Sequence, residues 1–171
     1  MSKKALKNYL SSLPKKELEI QLLDLYNRFP AVKEYYDFIF NPKEEKRIQE
    51  AKVKISNEFF PIRRKKPRAR RSLAQKYIKH FIVLGVNPFL IADLMLYAIE
   101  ICQSFSEEKN VNDVFYRSML RSYQQVIQYV VYHQFMADYS VRIEKIYTTA
   151  TAQNWSYLED FSVALAEIKE A

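Results

Sequence analysis

Glycine is almost absent. Gly85 is the single one in 171 residues, where ordinary usage near 7% would supply about twelve. Tight β-hairpins and phosphate-cradling loops need positive φ angles, which glycine adopts at little cost. With one glycine, a P-loop and a Gly-x-Gly-x-x-Gly fingerprint are excluded, a nucleophile elbow is disfavoured, and helices are favoured over sheet.

Cysteine and histidine are equally scarce. Cys102 is the only cysteine, so neither a disulfide framework nor a zinc site of several thiolates is available. His80 and His133 are the only histidines. Neither follows a glutamate by three residues, as a di-iron bundle requires: position 77 is Tyr and position 130 is Val. No catalytic constellation, metal site or cofactor is expected. The opening Met1-Ser2-Lys3-Lys4-Ala5-Leu6-Lys7 has no apolar h-region, so no signal peptide is expected. Phe81 to Cys102 is the most apolar stretch, but Gly85, Asn87 and Pro88 interrupt it, and Asp93 and Glu100 lie within it. It reads as a buried helical hairpin, with no membrane insertion. A cytoplasmic protein is expected.

What is abundant is aromatic and apolar. Hydrophobic residues make up 49% and aromatics 15%, the reverse of a disordered chain's bias. Apolar residues recur at i, i+3, i+4 and i+7 nearly everywhere, which predicts an all-α fold, an irregular bundle of seven to nine helices. A single domain of residues 1–171 is expected. Within it lie a helical subregion at 1–60, a basic loop at 61–71 and a helical core at 72–171. Asn41-Pro42 with Glu44, and Ser72 with Gln75, read as capping boxes. Gly85 reads as a left-handed C-cap, and Asn87-Pro88 as the next helix start. A long helix is predicted from Asp113 to about Tyr139, with Asn154 capping the last one.

The positive charge has one source. Seven of the 27 Lys and Arg residues lie between Arg63 and Arg71; without them, 20 basic residues face 20 acidic ones. A concentrated excess of +7 points to a local anionic partner. The candidate polyanion-binding residues are Arg63, Arg64, Lys65, Lys66, Arg68, Arg70 and Arg71, with Lys76 and Lys79 on the following helix. Arginine dominates, which suits bidentate phosphate contacts. No aromatic residue lies in the run, so backbone contact to RNA or DNA is expected rather than base stacking. The competing reading neutralises the loop on the protein's own acids and leaves a protein-interaction or self-association module, such as a homodimer.

Asp93 and Glu100 form a candidate buried acidic stripe. One reading pairs them with Arg or Lys from a neighbouring helix, or with the basic loop itself. Another makes them the acid or base of an enzyme on an anionic small molecule, which requires a pocket beside them. The helix carrying them is too apolar to read base edges, which excludes a helix-turn-helix. The series Tyr116, Tyr123, Tyr129, Tyr132, Phe135 and Tyr139 reads as core packing or as the wall of a ligand pocket.

Four segments carry a likeness over nearly the full length: Lys33-Glu34-Tyr35-Tyr36-Asp37-Phe38 with Asn41-Pro42, the run Arg63 to Ser72, Lys79-His80-Phe81, and Ile91-Ala92-Asp93-Leu94-Met95. On these the chain resembles an uncharacterised family of small bacterial helical proteins, a domain of unknown function. The resemblance implies no activity, cofactor or catalytic residue.

Overall fold

The computed structural model describes residues 2–63 and 66–170, with backbone only for 167–170. Among the described residues there are nine α-helices and no strand. They are α1 (Lys3–Ser12), α2 (Lys15–Arg28), α3 (Pro30–Phe40), α4 (Glu44–Phe59), α5 (Ser72–Leu84), α6 (Pro88–Glu108), α7 (Asp113–Tyr132), α8 (Met136–Ala152) and α9 (Leu158–Glu170). The chain divides into two compact units, Met1–Lys43 and Glu44–Ala171. The boundary falls at the start of α4 rather than at residue 60, so α4 and the basic loop share a unit with α5 to α9.

In the first unit, α2 packs on α3. Tyr26 donates to Asp37 Oδ1 across them at 3.0 Å; along α3 Tyr35 meets Tyr36 edge-on and Tyr36 stacks on Phe40. In the second unit, α6 lies against α4, α5, α7 and α8. Its residues Ala92, Leu94 and Leu96 have no exposed surface. α6 has the length and apolar composition of a membrane-spanning helix, and here its apolar residues fill the core of a helical bundle. The α4 face of Ile48, Ala51, Ile55 and Phe59 is buried, as is the α7 face of Phe115, Met119, Val126 and Val130. Side-chain hydrogen bonds tie the core helices together. The Gln103 amide donates to the Ile146 carbonyl at 2.7 Å, Tyr139 to the Phe89 carbonyl at 2.8 Å, and Tyr123 to the Ile143 carbonyl at 3.2 Å.

Three helices end in the same way. Gly85, Gln134 and Asn154 each take a left-handed φ, at 82°, 61° and 53°. In each case two amides fold back onto the preceding turn. Val86 N–H donates to Phe81 and Gly85 N–H to Ile82; Phe135 to Val130 and Gln134 to Val131; Trp155 to Ala150 and Asn154 to Thr151. This double pattern satisfies two of the orphan carbonyls at the helix end. Val86 and Trp155 then turn inward as buried apolar residues.

Four local expectations are corrected. Asn41 caps the C-terminus of α3, and α4 starts at Glu44. The Glu44 carboxylate accepts from Asn87 N–H instead, at 3.1 Å. Ser72 is the first residue of α5, whose cap position Arg71 is helical and makes no side-chain cap bond. The long helix predicted to Tyr139 breaks at 133–135 into α7 and α8. Asn154 closes α8 rather than opening α9. Gly85 and Asn87 behave as expected: Gly85 is the left-handed C-cap, and the Asn87 side chain accepts from Phe89 N–H at 2.9 Å.

Candidate polyanion-binding surface

The basic loop is divided by Glu58. This glutamate lies on the inward side of α4, one residue before Phe59, and is 7% exposed. Its carbonyl accepts from Arg68 N–H at 3.0 Å and Ala69 N–H at 2.9 Å. Its carboxylate receives a two-pronged contact from the Arg70 guanidinium, Nε to Oε2 at 2.9 Å and Nη2 to Oε1 at 3.1 Å. The hydrogen bond to Glu58 raises the Arg70 pKa above its ordinary value. A fork of this kind fixes direction as well as charge.

Arg71 turns inward. Its Nη1 reaches the Phe115 carbonyl at 3.5 Å, and its guanidinium lies 5.6 Å from the centre of the Phe115 ring, a cation–π distance. Burial lowers its pKa. It borders a cavity of about 20 Å³ lined also by Ala74, Met95, Cys102 and Met119, space for a single water. Burial pushes the Cys102 thiol up to about 12, so it is protonated and unreactive at neutral pH.

The other cations face outward. Arg63, Lys66 and Arg68 are exposed, and so are Lys76 and Lys79 on α5. None of the five makes an ion pair among the described residues. Arg64 and Lys65 lie outside the described residues. At the loop's start, Asn57, Pro61, Ile62 and Arg63 line an open groove of about 440 Å³.

Asp93 and Glu100 belong to a separate cluster. Arg142 on α8 donates Nη1 to Asp93 at 2.6 Å, Nε to Glu100 Oε1 at 2.6 Å and Nη2 to Glu100 Oε2 at 2.8 Å. Lys52 on α4 pairs with the second Asp93 oxygen and lies over the Tyr97 ring. The acids therefore hold Arg142 and Lys52, and the idea that they anchor the basic loop is corrected. Burial alone would raise the Asp93 carboxyl; the hydrogen bonds and charges of Lys52 and Arg142 outweigh it and hold the group below its ordinary range. A general acid needs the opposite shift. An open groove of about 360 Å³ borders Glu100, with Glu107 and Lys145 on its walls. No group of three or more His, Cys, Asp or Glu side chains positioned for a metal ion occurs among the described residues.

The aromatic series separates by depth. Tyr123 and Tyr139 are core residues at 0% and 5% exposure, while Tyr132 is 81% exposed. Tyr116 packs on Trp155, and Phe135 on Phe89 and His133.

Sequence reasoning missed Glu58, Lys52 and Arg142. Glu58 carried a readable signal: an acid on the apolar side of α4, five positions before the cation run opens at Arg63.

Residues 1–169 match the model of a family described as a family of unknown function (DUF6155). Curated proteins give no match, and neither do solved structures.

Proposed function

We propose that this chain, which belongs to that family of unknown function, is a non-enzymatic binding protein for a phosphate-rich polyanion, the backbone of RNA or DNA. The surface is the outer part of the basic loop, Arg63, Lys66 and Arg68, continued by Lys76 and Lys79. One observation carries the reading: these five cations are exposed and meet no carboxylate among the described residues, whereas Arg70 meets Glu58. Holding like charges together without acidic neighbours is unfavourable, and an external polyanion relieves it. Arg70 and Arg71 then act as anchors for the loop and not as ligands. Backbone contact is the expected mode, since phosphate contacts need no aromatic platform.

The test is a salt titration of binding to duplex DNA and to RNA, followed by fluorescence anisotropy. Log affinity should fall with log salt by about 0.9 for each DNA phosphate neutralised. Replacing Arg63, Lys66 and Arg68 by Ser should weaken binding and flatten that slope, without changing the melting temperature. Absence of binding at low salt refutes the reading, as does a slope unchanged by the triple replacement.

A further inference from the structure

Acid is missing from two stretches of the second unit. No Asp or Glu occurs between Glu58 and Asp93, or between Asp113 and Asp138. The first stretch holds the basic loop and all of α5; the second holds α7 beyond its first residue. The fold brings the two together. Arg71, just before α5, reaches the Phe115 carbonyl on α7 at 3.5 Å. One turn on, the Gln75 amide nitrogen meets Gln125 Oε1 at 3.5 Å. Arg71 and Gln75 also share one small cavity with Met119 and Ser122 of α7. The loop end, α5 and α7 thus border one another along a seam of neutral polar side chains, to which neither stretch brings a carboxylate.

Two arginines stand one turn apart on α7 and meet different surroundings. Arg117 donates to the Tyr157 hydroxyl at 3.0 Å and to Asp113 Oδ2 at 3.4 Å. Its charge is matched inside the protein. Arg121 is exposed and makes no ion pair among the described residues. It lies one turn from Gln125, towards Phe115, and i, i+4 spacing puts it on the same side of the helix as Gln125. That is the side bordering α5, at the level where the basic loop ends. A cation held there without a carboxylate adds to the field of the loop, and a surface of one sign attracts its counter-charge over a distance.

We propose that the polyanion surface crosses from the loop and α5 onto α7, and that Arg121 is a further phosphate ligand. This rests on the reading of the basic loop given above and adds a third element to it. A nucleic-acid backbone lying across the seam meets the loop cations on one side and Arg121 on the other. The guanidinium forks onto two phosphate oxygens, and Gln75 and Gln125 offer neutral hydrogen bonds between.

Fluorescence anisotropy of the full chain with a labelled DNA duplex, titrated with salt, tests it. Arg121→Ser should lower the log–log slope by about 0.9, the value of one phosphate contact. Its loss of affinity should therefore be about three- to fourfold larger at ~50 mM than at ~200 mM salt. Lys145→Ser removes the same charge from an exposed position on α8, beside Glu100 and Glu107, and should keep the wild-type slope. Arg121→Lys should keep it too, because the ammonium still neutralises a phosphate. If Arg121→Ser leaves the slope unchanged while replacing Arg63, Lys66 and Arg68 flattens it, the α7 assignment is overturned and the loop reading stands. A slope lowered as much by Lys145→Ser also overturns it, since net charge alone then accounts for the effect. No binding at low salt removes both.

Discussion

Arg142 holds two carboxylates with one guanidinium, and Lys52 takes the remaining oxygen of Asp93. Removing it leaves two half-buried acids facing each other on α6. Arg142→Met should therefore cost about 2 kcal/mol, between the values for exposed and buried pairs. Arg142→Lys should recover only part of this, because an ammonium cannot fork to both acids. Urea denaturation at pH 7 measures both. The same cluster sets an acid limb. The folded Asp93 carboxyl lies below its ordinary value of 3.8. Its contribution is thus complete above about pH 4 and is lost as pH falls through the lower folded value. Asp93→Asn should be less stable than wild type at pH 7 and lose less on going to pH 3. A difference between the two proteins that does not change with pH would contradict this. The residues Asp93 and Glu100 were visible in the sequence, and so was their need for a cation. Arg142 was not, because its partners lie 42 and 49 positions away and no local spacing encodes that distance.

Three helix ends share one geometry, and only one of them was legible. Gly85 announces a left-handed residue because it is the sole type that adopts it freely. Gln134 gives no such sign. It takes the same conformation because Phe135 packs against Phe89 and the Val130 and Val131 carbonyls gain donors, which outweighs a local cost of about 1–2 kcal/mol. Asparagine is ambiguous by nature: its side chain suits an N-cap, and its backbone tolerates the left-handed region. Asn87 plays the first role and Asn154 the second. Gln134→Gly should raise stability by about 1 kcal/mol, since it removes the strain and keeps the fold-back bonds. Thermal melting checks this; a lower melting temperature would mean that the Gln134 side chain itself stabilises the turn.

Across the whole molecule, fold class was legible and the destination of charge was not. Helical periodicity and missing glycine pointed to the all-α architecture directly. The seven cations of the loop look alike in sequence, yet Arg70 and Arg71 turn to Glu58 and Phe115 while Arg63, Lys66 and Arg68 stay outside. Tertiary contacts sort them. The second unit contains its own core, and its basic loop is closed by its own Glu58. A chain reduced to residues 44–171 should therefore melt cooperatively and keep in full the salt-dependent nucleic-acid affinity proposed for the basic loop. A non-cooperative melt, or lost affinity, would show that the N-terminal helices complete the unit.

The Glu58 clamp has a bearing on how a polyanion would be met. From Arg68 to Arg70 the chain is tied down by two backbone N–H hydrogen bonds and a guanidinium fork when the protein folds. Ordering that stretch is not charged to the encounter, where it would subtract about 1–2 kcal/mol per residue from affinity. The downstream half of the loop is preorganised, so the proposed phosphate contact of Arg68 would draw on side-chain freedom alone.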